Sequence, residues 1–304
     1  MAVVVFGAVV RLVRGGAVMM RENFRGERIP SGAGLGFALL GVVYFTPHVI
    51  YGFVDRLFST AALLLMVGFG FLGLMDDVLR EREAGGLTGH MRRFVCGGIF
   101  STALVKCVFG LALSGAAVSL LPGEGGVRTI AANTLLVALC ANAVNVLDVR
   151  PGRALKGFWG MFFVFFVLAP IFPLFPAAVV FDFLYVHVLG GSTGEFKAVM
   201  YDVAGYRLWS SMWILFPVLV WSMAYGRWDF RCEAMMGDAG SNALGAAAGL
   251  LIAWNCFFTW KAAVLALLVV VHAAAEFSSI SKLIEAVPPL RWLDRLGVRP
   301  AGRV

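Results

Sequence analysis

Apolar stretches of about 18 or more residues recur from one end of this sequence to the other, and each is long enough to cross a bilayer as a helix. Eight strong segments cover roughly residues 33–53, 58–75, 94–119, 129–147, 157–180, 208–226, 240–257 and 260–280. A ninth, 2–13, carries Arg11 and is short for a span; it reads either as a span that begins upstream of Met1 or as an interfacial helix. The expectation is an all-α fold, a polytopic membrane helix bundle of about 9–10 transmembrane helices, with residues 1–304 forming one integral membrane domain. Composition agrees. The chain is 60% hydrophobic and 14% charged, with a mean hydropathy of +0.86, whereas soluble domains are near half apolar and a quarter charged.

The formal charge is +7 and the isoelectric point about 9.4. In a soluble chain that balance would suggest a nucleic-acid partner. Here it follows from the enrichment of Lys and Arg in cytoplasmic loops, so no nucleic acid is expected. Cys96, Cys107, Cys140, Cys232 and Cys256 form no CxxC pair and mostly sit in apolar runs. They read as small apolar residues, neither disulfides nor metal ligands.

The region 157–226 holds Pro170, Pro173 and Pro176 within a long apolar run, then a Gly-rich stretch at 181–206. That stretch is read as an external excursion, because the polar motifs on either side should face one compartment. Charge supports the assignment. With an outward N-terminus, 19 Lys and Arg residues fall in inside loops and 5 fall outside (Arg56, Arg128, Lys197, Arg207 and Lys261), while Lys106 stays within the membrane. The cytoplasmic catalytic loops are about 14–32, 76–93, 148–156 and 227–239; the other inside charges are Arg11 and, after the last span, Lys282, Arg291, Arg295, Arg299 and Arg303.

Those four loops carry more than positive charge. The first contains Asn23 and Arg25, the second opens on Asp76 and Asp77, the third follows Asn142, Asn145 and Asp148 and contains Arg153, and the fourth is Met236-Gly237-Asp238-Ala239-Gly240-Ser241-Asn242. Singly, each has a plain structural reading: a carboxylate at the water interface, amides bridging helices, a helix N-cap. Together they place acidic, amide and guanidinium groups at one membrane face. Hard carboxylate and amide oxygens suit Mg²⁺. Arg neutralises phosphate, and a helix start behind a Gly-rich turn offers free N–H groups to an anion. Acidic ligands beside basic residues describe a metal–pyrophosphate site. Asp76 and Asp77 project about 100° apart on a helix and so should differ in role; either is a metal ligand or base at this stage. Lys106, within an apolar run, is an ionisable group of the kind that marks function in a membrane.

These segments resemble a known family. FRGERIPSGAGLGF (24–37), GFLGLMDDVLRE (70–81), GLTGH (86–90), NAVNVLD (142–148) and MGDAGSNALG (236–245) are similar, in order and spacing, to the polyprenyl-phosphate N-acetylhexosamine-1-phosphate transferases. EFSSISKLIE and RWLDRLG (276–297) resemble the tail of one bacterial branch. The resemblance implies an inner-membrane enzyme with its site on the cytoplasmic face. It implies Mg²⁺-dependent transfer of a sugar-1-phosphate from a UDP-sugar to polyprenyl phosphate, releasing UMP and initiating a cell-envelope glycan, with Mn²⁺ as a substitute ion. By position, Asp76, Asp77 and Asp238 match the catalytic and metal-binding aspartates. Asn145 and Asp148 match the Asn…Asp motif near the nucleotide, and Lys106 a lysine facing the lipid phosphate. Arg25, His90, Asn142 and Asn242 fall in matching segments, Asn23 and Arg153 in the loops that adjoin them, and these six are the further substrate-binding candidates. A homodimer is compatible with this reading. The sequence departs from the family at Val149-Arg150-Pro151-Gly152, where Asp-Gly is usual, and its four histidines do not cluster. The pentapeptide-carrying branch is therefore disfavoured. The competing readings are a transporter or flippase of lipid-linked or phosphorylated solutes, and an inactive scaffold of the same fold.

Overall fold

The computed structural model describes residues 1–16, 19–52, 55–79, 102–121, 126–168, 193–277 and 279–299. The chain is mostly helical. In chain order the elements are α1 (Ala2–Gly15), β1 (Met20–Glu22), β2 (Arg28–Pro30), α2 (Leu35–Tyr51), α3 (Arg56–Leu79), α4 (Thr102–Ser119), α5 (Val127–Leu147), α6 (Arg153–Leu168), α7 (Thr193–Asp229), α8 (Gly237–Asn255), α9 (Phe258–Phe277), α10 (Ile280–Ala286) and α11 (Pro288–Arg295). Among the described residues, α3, α5 and α9 are long and apolar enough to cross a membrane.

The centre of the bundle is α8, packed chiefly against α5 and α3. Its composition explains its place. Gly240, Gly245, Gly249 and the run Ala246-Ala247-Ala248 present almost no side chain, so neighbouring backbones approach closely, as small residues permit between helices. A Cβ on Gly249 would meet the Cα of Val137 at 2.8 Å. From Gly237 to Trp254 every residue is buried except Asp238. Outer helices are arranged differently: α9 turns most of its apolar surface outward.

Two elements depart from a plain helical bundle. The polar loop after α1 folds into an antiparallel hairpin, pairing Met20 with Pro30, Arg21 with Ile29 and Glu22 with Arg28. The pairing runs on through the backbone, with Met235 N–H donating to Pro30 and Gly34 N–H to Met236. The hairpin is thereby fastened to the start of α8. The second is α7. Residues 193–206 of the expected excursion are helical and continuous with the apolar stretch after them, while 181–192 lies outside the described residues. At 1.5 Å per residue, 37 helical residues extend about 55 Å, well beyond a bilayer's hydrocarbon core of about 30 Å. The short segment 2–13 forms α1, which buries Phe6, Val9, Val10 and Val13, with Phe6 against Phe37 and Tyr225.

Candidate functional site

The end of α3, the described start of α4, the end of α5 and the start of α8 meet at one end of the bundle. The Lys106 ammonium lies between two carboxylates, bonded to Asp238 and 3.3 Å from Asp76 Oδ2. Asn145 Nδ2 donates to the same Asp238 oxygen at 3.3 Å, and Ser241 Oγ donates to Asn145 Oδ1 at 3.0 Å. Asp238 is thus held on two sides and open on a third, the single uncovered position of an otherwise buried stretch.

Asp77 does a different job from its neighbour. It is buried, and its two oxygens accept the backbone N–H groups of Asp238 (3.2 Å) and Ala239 (3.3 Å). The residue at the N-cap position, Met236, has no side chain able to cap, so α3 supplies the cap to α8. Gly237 makes this approach feasible. Its φ of +71° is a left-handed conformation, and a Cβ there would lie 2.5 Å from Asp77 Oδ2. Arg21 of the hairpin donates to the Asp77 carbonyl at 2.9 Å, joining β1 to the same corner.

Asp148 lies just past α5, near the start of α8. Burial and the nearby Asp229 carboxylate push the Asp148 carboxyl well above the usual range. Asp229, 3% exposed at the end of α7, accepts the Gly152 N–H at 2.8 Å. Burial pushes its carboxyl up to about 7, against the opposing pull of the Gly152 bond and Lys156. Asn23, Phe24, Ile29, Asp148, Arg150 and Asp229 line a shallow cleft beside the aspartate cluster.

Of the residues singled out in the sequence, Asp76, Asp77, Lys106, Asn145, Asp148 and Asp238 come together. Asn242 donates to the Asp238 carbonyl at 2.6 Å, one turn along α8. Asn23 organises the hairpin turn, accepting from the N–H groups of Arg25 and Glu27 and donating to the Glu27 carboxylate. Arg25 reaches the Arg299 carbonyl. Arg153 is not brought to the aspartates. It is 4% exposed, forked onto Asp294 at 2.8 and 2.9 Å, and bonded to Ser281. Asn142 is exposed on α5. His90 and the rest of 80–93 lie outside the described residues. Three participants were not singled out by sequence: Asp229, Arg21 and Ser241. For Asp229 a signal existed, a carboxylate closing the apolar run WSMAYGRWD.

No protein-family model matches the chain, and no curated protein matches it. The family resemblance therefore rests on the motifs.

The pocketed Asp229 makes stability depend on pH. Its carboxyl is raised in the folded state from an ordinary value near 3.8 to about 7, so the folded state holds the proton more tightly than the unfolded chain. The contribution is full below about pH 4, declines by about 1.4 kcal/mol per pH unit as pH rises towards 7, and is then exhausted. Asp148, shifted the same way, adds to the slope. Asp229→Asn keeps an acceptor for Gly152 and should flatten the decline in unfolding stability measured between pH 5 and 7. An unchanged slope would contradict the assignment.

Proposed function

We propose that this chain is a polytopic membrane enzyme of about nine or ten spans that transfers a sugar-1-phosphate, of N-acetylhexosamine type, from a UDP-sugar to polyprenyl phosphate at the cytoplasmic face. One observation carries the proposal: Lys106, Asp76 and Asp238, far apart in sequence, form a single cation–carboxylate cluster at the uncovered start of α8. The apolar α3, α5 and α9 support the membrane setting.

In the proposed reaction an oxygen of the lipid phosphate attacks the β-phosphorus of the donor. The bond from that phosphorus to the bridging oxygen breaks, and the electron pair leaves with UMP. Such chemistry asks a protein mainly for positioning and charge neutralisation. Lys106 faces the anionic reactants, and Asp76 takes the proton if the lipid phosphate arrives protonated. Asp77, with both oxygens on backbone amides, keeps α8 in register instead of touching substrate. The Asp148–Asp229 cleft adjoins the cluster and suits the nucleotide end of the donor.

The donor set bears on the ion. Among the described residues no group of three His, Cys, Asp or Glu side chains gathers at ligand spacing. Mg²⁺, however, is commonly held by one or two carboxylates, with water and phosphate completing its octahedron. Asp238 and Asp76 fit that pattern, and Mn²⁺ would be held by the same oxygens. Bound there, the ion would neutralise pyrophosphate charge.

The test is direct. Purified protein is incubated with polyprenyl phosphate, Mg²⁺ and a panel of UDP-sugars, and UMP is measured. UMP that appears only when donor, lipid and ion are all present is expected. No UMP with any donor would overturn the proposal, and movement of lipid or nucleotide across vesicles without UMP would favour a transporter.

A further inference from the structure

Past α9 the chain leaves the bundle as two short helices whose polarity is reversed. In a soluble protein a surface helix turns its apolar side inward and its charges to water. Here Asp294 of α11 points inward to Arg153, Ser281 of α10 also bonds Arg153, and Glu285 pairs with Arg150 at 2.7 Å. Lys156 donates to the carbonyls of Leu293 and Asp294 at 2.8 and 2.7 Å, closing the end of α11. The outward surface carries Trp292, 66% exposed, with Leu293, Leu296 and Leu283. Lys282, Arg291 and Arg295 flank it and are exposed.

We propose that α10 and α11 form an interfacial foot that lies on the anionic surface of the same bilayer the bundle crosses, with Trp292 and Leu296 at headgroup depth. Continuity argues for this occupant: the outward-facing apolar side of α9 leads, through Ser279, into the exposed apolar side of α10 and α11. Charge argues for it as well. Basic side chains beside a Trp- and Leu-bearing face match anionic headgroups over an acyl boundary. Because Arg153 and Lys156 begin α6 and anchor the foot, the loop 148–156 is fastened to the membrane surface through it. The inference rests on the membrane reading and goes beyond the transfer reaction.

The experiment uses spin labels in the full chain, with the five cysteines replaced by alanine and reconstituted into vesicles of phosphatidylglycerol and phosphatidylcholine. Labels are placed at position 292, at 267 on the exposed side of α9, and at 28 on the hairpin as a water reference. Accessibility to oxygen is compared with accessibility to a water-soluble nickel chelate. Position 292 should fall between the other two, at headgroup depth, and Arg291→Glu with Arg295→Glu should shift it several-fold towards the water reference. Position 292 reading like 28 while 267 reads as hydrocarbon overturns the foot alone. Position 267 reading as water overturns the membrane reading beneath it. Spin–spin broadening at 292 that disappears on dilution with unlabelled protein overturns the foot in favour of a second copy.

Discussion

Lys106→Met protein is expected to release UMP roughly 10²–10³-fold more slowly than the parent chain, the usual cost of losing one preorganised charge partner at a reacting centre. The ammonium is bonded to Asp238 and lies 3.3 Å from Asp76. Without it two carboxylates face one another and the anionic reactants, with no cation from the protein. Both keep some contact with water, at 29% and 27% side-chain exposure, so the fold should survive with a loss of roughly 1–3 kcal/mol. A companion variant separates the two effects. Adding Asp238→Asn to Lys106→Met removes the repulsion and should restore thermal stability while leaving UMP release at the floor. Unchanged turnover in Lys106→Met would remove the cluster from the mechanism.

The second large effect concerns backbone alone. In Gly73→Ala the new methyl falls on the carbonyl of Asp238 and the nitrogen of Ala239. Neither can rotate away, so α3 and α8 must part. Overpacking of this kind costs typically about 1–3 kcal/mol, and rigid neighbours put this site at the upper end. Function should fall further than stability, because Asp77, one turn along α3, loses its grip on the Asp238 and Ala239 amides as the helices separate. Thermal unfolding in detergent together with UMP release checks both. Gly160→Ala is the control, since nothing lies within 4 Å of a Cβ there; it should be neutral or slightly stabilising. Equal behaviour of the two variants would mean that the α3–α8 contact does not position the site.

Much of the site was legible because polar residues in apolar sequence are costly and therefore few. Asp76, Lys106, Asn145 and Asp238 stood out against their surroundings, and the structure gathers them. What sequence could not supply was pairing between distant segments. Nothing near Asp77 says that its carboxylate caps a helix 160 residues away. Nothing near Arg153 says that Asp294 will occupy its guanidinium, which leaves a phosphate-binding expectation with a residue already engaged. Nothing in the sequence around Asp229 marks it as buried, since it is a lone carboxylate closing an apolar run. Its burial comes from the 148–152 turn folding over it. The helical character of the chain was readable from apolar run lengths, but the hairpin at Met20–Pro30 was not, because its strands are too short to show alternation.

The seclusion of α8 divides the molecule's tolerance for change. A helix covered on every side but one has almost no side chain free to drift, so its residues are fixed by their neighbours whatever the reactants are. The hairpin turn and the 148–152 turn that line the cleft hold some positions just as firmly, Asn23 and Gly152 among them, but Phe24 and Val149 are exposed and free of that constraint. Under the proposed transfer, a lineage could therefore exchange one sugar donor for another by rewriting such exposed turn positions while the reacting centre stays still, and a randomised library built for new donors would be better spent on them than on the helix that holds Asp238.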